Sequence, residues 1–462
     1  MERVGYIAQM EESMKRSRIM ILIAVLMLIV AACSSGESGD TTTTADGGGE
    51  TTTTAGAETT TTAGGGGDTT TTTAAEGGGL EDYGESTDAD PELVDKALGP
   101  VDDVPEIILA SIARASIELT DDQIAVAMEC WAQPECDTGT GGDITMGYAD
   151  GGGLNVWRQV THMEAILQAL TYPDIGKIIS TDAQWNVDPS VAAGDIRFLI
   201  QADVDFIIGY PDQGVAIADA ILEAEAAGIS YIPYSAGYVG LPGQDGALEP
   251  GVDYTSIVGE DLCQLGTSFA TIMNDQVGTG TIGILGGTPG NALSLGWQQC
   301  ELEALNDTIE VLGPADTYWV NSIALETMTG WLASNPDIAG YSYEYADGLY
   351  TGLDAYEQLG IPVDNLVITV RTDEQTLFCD WVDRGLPNYQ IWYSAGGNFQ
   401  SRVAVTASML YLQGAEIPAE ILVPHVMRLV TADDCNPNRV TPTVSNTSLV
   451  PDAVLVLMYP AG

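Results

Sequence analysis

A chain of 462 residues with 66 acidic against 14 basic side chains carries a formal net charge of −52, with lysine only at Lys15, Lys96 and Lys177. A surface of that sign repels phosphate backbones, which sets nucleic acid aside as a partner. Beyond a polar N-terminal stretch, roughly 380 residues remain, enough for two domains with cores of their own.

The N-terminal stretch reads as an address. Lys15, Arg16 and Arg18 lead into the apolar run 19–30, which closes on Val30-Ala31-Ala32-Cys33. That run is too short to span a bilayer, which takes about 20 residues, and its order of charge, apolar stretch and small residues is that of a secretory signal. Glu2, Glu11 and Glu12 suit such a signal poorly, so Met14 is an alternative start. The Val-Ala-Ala-Cys end resembles a bacterial lipobox, which implies a signal over 1–33, lipidation of Cys33 and an extracytoplasmic protein anchored to the membrane of the cell envelope. Residues 34–80 hold threonine runs at 41–44, 51–54, 59–62 and 69–73, spaced by Gly, Ala and acids. With almost nothing apolar to bury, this segment is expected to be a disordered linker.

Residues 81–142 read as a helical extension. The stretch 104–115 is apolar and uninterrupted, Thr120-Asp121-Asp122 offers an N-cap ahead of 124–131, and the acidic, Gly-rich 137–143 closes the segment. From Asp143 onward short β-like runs alternate with helical stretches. The run 144–148 precedes a helix with apolar Trp157, Val160, Met163, Leu167 and Leu170. Strands at 177–180, 204–209 and 230–233 are separated by helices over about 189–201 and 213–227. The alternation resumes at Ile257-Val258, a helix bearing Leu262, Leu265, Phe269, Ile272 and Met273, and strands at 281–285, 338–343, 366–370 and 389–392. Strand and helix in turn predict an α/β fold of two doubly wound parallel-sheet lobes, with ligands at the carboxyl ends of the strands.

Setting Cys33 aside leaves Cys130, Cys136, Cys263, Cys300, Cys379 and Cys435, an even number suited to an oxidising compartment. Cys130 and Cys136 flank Gln133-Pro134 and read as a small disulfide loop, whereas count alone leaves the remaining pairing open. The two histidines, His162 and His425, sit away from the cysteine pairs, so neither metal nor cofactor is expected. Ala292-Leu293-Ser294-Leu295-Gly296 lacks the first glycine of a nucleophile elbow, and neither histidine is placed to serve it, so no enzyme is expected. Residues 286–290 follow a strand but lack the lysine and spacing of a P-loop, and read as a structural turn.

Several stretches carry a family resemblance. Residues 202–209, Ala-Asp-Val-Asp-Phe-Ile-Ile-Gly, are followed by a helix and then by 226–233, Ala-Ala-Gly-Ile-Ser-Tyr-Ile-Pro. Gly287-Thr288-Pro289-Gly290, Asn335-Pro336-Asp337-Ile338 and Gly414-Ala415-Glu416-Ile417-Pro418 come in the same order. Together, over about 143–430, they resemble type I periplasmic binding proteins, with the ribose-type sugar-binding components of ABC importers as the most similar branch. The resemblance implies two lobes joined by three crossing segments, near 259–261, 395–398 and 427–430, that close like a hinge on a ligand. It divides the chain into a first lobe of 143–260 plus 396–427, a second of 261–395 plus 428–435, and a tail of 436–462. By that division it implies the pairs Cys130–Cys136, Cys263–Cys300 and Cys379–Cys435.

The same resemblance implies a site for a small polar ligand, a sugar above all, presented by a monomer to a membrane permease. Sensing for a membrane receptor is the other role it allows. Sugars need planar polar groups for their hydroxyls and aromatic rings for their C–H faces. Matched to the ribose-type pattern, the ligand positions are Asp150, Asn155 and Trp157 after the first strand; Tyr234 and Ser235 after the fourth; and Trp297, Trp319, Tyr345, Arg371, Asp373 and Ser394 in the second lobe. Tyr234-Ser235 stands where the branch has an Asp-Arg pair. Arg371 replaces a glycine, and either it or Arg158 could pair with the carboxylate of an amino acid or acidic sugar.

Overall fold

The computed structural model describes residues 80–150, 155–182, 188–235, 237–394, 397–424, 426–436 and 445–460. The signal, Cys33, the threonine linker and His425 lie outside the described residues.

Three helices open the folded part: α1 (Pro91–Leu98), α2 (Glu106–Ala115) and α3 (Asp121–Ala132). Thr120 caps α3 as expected, its hydroxyl accepting from Gln123 N at 3.3 Å while the Gln123 amide oxygen accepts from Thr120 N at 3.0 Å, a closed capping box. The extension then does something the sequence reading did not anticipate. A turn held by the Cys130–Cys136 disulfide delivers β1 (Glu135–Asp137), which pairs antiparallel with β3 (Ile175–Asp182) and covers the edge of the first sheet. Arg114 fastens the same segment, pairing with Glu85 at 2.6 Å, donating to Thr171 O at 3.1 Å and lying 3.7 Å above the Tyr172 ring. The extension is therefore part of the first lobe's packing.

That first sheet has the order β1-β3-β2-β4-β5, with β2 (Ile144–Asp150), β4 (Phe206–Tyr210) and β5 (Ser230–Pro233) parallel to β3. All five residues of β4 are buried, as expected for a parallel strand covered on both faces. The covering helices are α4 (Val156–Ala169), α5 (Pro189–Gln201) and α6 (Ala218–Ala226). A short parallel ladder of β6 (Ile257–Gly259) with β12 (Glu420–Leu422) follows the first sheet.

The second sheet takes α7 (Leu262–Gln276), β7 (Gly280–Gly286), α8 (Ala292–Ala304), β8 (Ile309–Asp316), α9 (Asn321–Ser334) and β9 (Ile338–Tyr343). It continues through α10 (Ala346–Gly352), α11 (Asp354–Leu359), β10 (Val367–Val370), α12 (Gln375–Arg384) and β11 (Gln390–Tyr393). Its order is β13-β11-β10-β9-β7-β8, parallel except for β13 (Arg428–Leu429). Between β11 and β13 the chain returns to the first lobe as α13 (Gln400–Leu412), which packs on α4 and α2.

The backbone thus passes between the sheets after β6, after β11 and after β12. A further segment, 445–450, also touches both lobes before α14 (Asp452–Met458) packs against α3. The family resemblance implies a tail over 436–462. Its apolar positions Val450, Val454 and Leu455 are instead fully buried.

Cys263–Cys300 links α7 to α8, and Cys379–Cys435 links α12 to the segment after β13, so all three disulfides lie within one lobe each. Non-reducing peptide mapping should return these pairs and Cys130–Cys136, with no peptide linking the two sheets.

One core feature sets a pH dependence. Glu301 of α8 is fully buried; Ser342 Oγ donates to its Oε1 at 2.5 Å, and Oε2 has no hydrogen-bond partner among the described residues. Burial pushes its carboxyl up to about 8, against the pull of Ser342. A folded-state value above the unfolded one means that stability is complete below the unfolded range and is lost as pH rises through the folded value. Glu301→Gln should therefore gain on the wild type by about 1 kcal/mol per pH unit between about 4.5 and 8 in urea melts, the two converging at lower pH.

Candidate functional site

The carboxyl ends of both sheets face each other across one cavity with about 330 Å³ of empty space. From the first lobe it is lined by Asn155, Trp157, Arg158, Tyr210 and Ser235; from the second by Leu293, Trp319, Glu344, Tyr345, Arg371 and Thr372.

Local structure fixes the first wall. β2 ends at Asp150, and Asn155 caps α4 by accepting from Arg158 N at 2.9 Å, which starts the helix with Trp157 and Arg158 at the cleft. Arg158 is buried and donates to Asp150 Oδ1 at 2.7 Å and to Asp212 Oδ1 at 2.6 Å. Its guanidinium carbon lies 4.2 Å from the Tyr210 ring centroid and 5.7 and 5.8 Å from those of Trp157 and Trp319. The cation is therefore neutralised by two carboxylates and packed among rings from both lobes. Burial pushes the Asp212 carboxyl up to about 7 against the pull of Arg158, with the charge of Asp150 adding to the rise.

The opposite wall is organised by Glu344, which follows β9. Its Oε1 accepts from Ser294 Oγ at 2.5 Å and Trp319 Nε1 at 3.0 Å, and its Oε2 from Trp297 Nε1 at 2.9 Å. Burial raises this carboxyl to about 7, and the donors hold it down. Trp319 and the residue before it, Tyr318, both have left-handed backbone, at φ 53° and 55°. Such conformations cost about 1–2 kcal/mol each in an L-residue and cluster at functional sites. A Cβ on Gly287 would fall 2.0 Å from the Trp319 ring, so only glycine lets the indole lie on that backbone. Gly287 O in turn accepts from Tyr318 N at 3.0 Å. The ring is thus fixed from three sides.

Arg371 closes the base of the cavity. It donates from Nε to Glu260 Oε2 at 2.9 Å, from a terminal nitrogen to Glu260 Oε1, and from the same nitrogen to Ser235 Oγ at 2.9 Å. Glu260 follows β6, and Gln400 Nε2 also donates to its Oε1 at 2.5 Å. Arg371 therefore joins the second lobe to the first and to a passage between them. Asn291 adds another link, donating to Asp212 O at 3.3 Å and accepting from Tyr210 OH at 3.4 Å. The Tyr210 and Trp319 rings meet edge to face at 6.2 Å. The lobes touch across the cavity, and it is a closed cleft.

Of the positions implied by the sequence, Asn155, Trp157, Ser235, Trp319, Tyr345 and Arg371 come together on the cavity wall. Asp150 stands behind Arg158. Tyr234 is buried behind Tyr210, its hydroxyl 2.7 Å from that of Tyr148. Ser394 is buried after β11, its N donating to Val370 O at 3.1 Å. Trp297 and Asp373 line no part of the cavity. Trp297 packs edge-on against Phe269 at 5.2 Å in the core and reaches Glu344 from behind. Asp373 is fully buried and turned to residues 445–447. The sequence reading missed Tyr210, Asp212, Glu260, Leu293, Glu344 and Thr372. Tyr210, Asp212 and Glu344 lie at or just after the ends of β4 and β9, where the strand-end rule applied to every parallel strand would have found them.

A family model described as a periplasmic binding protein domain matches residues 149–416. No curated protein matches the chain. Solved structures similar to it include an ABC transporter periplasmic solute binding protein from Actinobacillus succinogenes 130z with bound D-allose, 20% identical at a TM-score of 0.52 over 62% of this chain and 97% of that one. An ABC transporter solute binding protein from Agrobacterium vitis with bound D-fucose is 18% identical, at 0.54 over 64% and 97%. The fructose binding periplasmic domain of a hybrid two component system is 18% identical, at 0.53 over 62% and 90%. With more than half of its residues matched to the family model, and two parallel-sheet lobes closed on a cavity at their strand ends, the chain belongs to the periplasmic binding proteins of type I architecture.

Proposed function

We propose that this protein is an extracytoplasmic solute-binding protein that captures a neutral, hydroxyl-rich molecule of sugar size between its lobes and presents it to an ABC permease, tethered by lipid on Cys33. The observation that carries the ligand class is the neutralisation of both cleft arginines by buried carboxylates, Arg158 by Asp150 and Asp212 and Arg371 by Glu260. A ligand carboxylate would have to displace one of these acids and leave it buried without its partner, at a cost of several kcal/mol. A neutral polyol meets no such penalty. It needs ring faces for its C–H surface, which Trp319 and Tyr345 offer, and polar groups for its hydroxyls, which Asn155, Ser235, Thr372 and Glu344 offer. The allose- and fucose-bound structures of similar fold agree with that class. Differential affinity of the ligand for the closed lobes drives closure, which is the state a permease reads.

A second reading gives the same cleft to a sensor that signals through a membrane receptor. The similar fold of a fructose binding domain in a two component system favours it. Co-purification with permease and ATPase subunits supports the importer; co-purification with a receptor kinase supports the sensor.

Calorimetry with neutral aldoses, a cyclitol and hexuronates should give binding for a neutral compound and none for the hexuronates. Binding of an acid with no neutral binder would overturn the assignment. Native mass spectrometry of gently purified protein should show a retained neutral ligand. With that ligand, Trp319→Ala should raise Kd by roughly 10- to 100-fold, about 1–3 kcal/mol, at unchanged circular dichroism.

A further inference from the structure

Residues 445–450 satisfy two buried carboxylates that belong to different lobes. Asp373, three residues beyond β10 in the second lobe, accepts from Ser445 Oγ and from Thr447 Oγ1 at 3.3 Å on one oxygen, and from Thr447 N at 2.8 Å on the other. Its carbonyl accepts from Asn446 N at 3.3 Å, and Ser445 pairs antiparallel with Glu374 as an isolated bridge. Glu164 of α4, in the first lobe, accepts on Oε1 from Ser448 Oγ at 2.8 Å, Leu449 N at 2.6 Å and Val450 N at 3.1 Å. Its Oε2 takes Arg402 Nε of α13. Both carboxylates are fully buried.

The partners of Asp373 end at Thr447 and those of Glu164 begin at Ser448. One peptide unit, about 3.8 Å between Cα atoms, separates the two anchors, so the segment has no slack. Moving the lobes apart at this point would strip the donors from a buried carboxylate, which is strongly unfavourable. Rotation about this point would not. The surroundings fit a point of small displacement. α13 enters the first lobe directly after the passage from β11, and beside the segment Asn398 Nδ2 donates to Trp157 O at 2.9 Å and Ser401 Oγ to Thr161 O at 2.8 Å.

We propose that residues 445–450 form a fixed pivot, a fourth connection between the lobes that stays attached to Asp373 and Glu164 while the cleft opens and closes. The three passages between the sheets then bend around a point whose separation is set by this segment. The proposal concerns the mechanics of the lobes and does not depend on which ligand the cleft takes.

Hydrogen exchange followed by mass spectrometry on the full ligand-free chain tests it. Peptides covering 447–450 should exchange as slowly as β10, within about tenfold, because their amides stay bonded to the two carboxylates through opening. Exchange at the rate of an exposed loop, with β10 still protected, would overturn the pivot, since the segment would then be leaving one lobe. Calorimetry of the Ser445→Ala/Ser448→Ala double variant is the second arm. Loss of one hydroxyl anchor on each lobe, with Thr447 Oγ1 and the backbone donors left in place, should lower the midpoint or broaden the unfolding transition as the coupling of the lobes weakens. A transition of unchanged shape and midpoint would show that the segment holds nothing together.

Discussion

Two arginines buried between the lobes must be neutralised where they stand, and the rest of the cleft is arranged around that requirement. An unpaired guanidinium in such surroundings costs several kcal/mol. Arg158 therefore draws in Asp150 from the end of β2 and Asp212 from beyond β4, and Arg371 draws in Glu260 from the first passage between the sheets. These pairs fix the ends of five elements at once, β2, β4, β6, β10 and the start of α4. They also bring rings of both lobes around Arg158, so the electrostatic centre of the first wall is a contact surface for the second. Because both cations are already paired within the protein, what remains for a ligand is ring faces and hydrogen-bonding groups.

The second wall follows from another buried acid. Glu344 makes no ion pair among the described residues and is held by three donors, two of them indoles on opposite sides. That arrangement explains why two tryptophans have different roles. Trp297 reaches the carboxylate from the core and Trp319 from the cavity, and only Trp319 stands on left-handed backbone over a bare glycine. Strain of that kind persists because the surrounding bonds over-determine it.

The fold was largely legible in the sequence, and the site only in part. Strands such as β4, buried on every residue, read as continuous apolar runs, and the helices between them show their own periodicity. β1 has three residues of alternating exposure, and half of β8 is open to solvent, so neither leaves such a run. Site residues at strand ends, such as Arg371 and Tyr345, were within reach of the strand-end rule and the family resemblance. Glu344, just past β9, was within the same rule's reach without being singled out, whereas Glu260 is marked by the donors that tertiary structure brings to it. Asp373 shows the converse. It sits just past a strand end, as a ligand residue would, but its partners are residues 445–447, separated by more than seventy positions and joined only by the fold.

The packing of the two ends of the folded part has a mechanical consequence. Residues 80–83 lie against α2, and Tyr459 reaches α4 through Gln159 and stacks edge-on with Trp131 of α3, so both ends leave from the first lobe. Anything attached through either end is therefore joined directly to that lobe, and to the second lobe, which carries Trp319 and Glu344, only through the connections between the sheets.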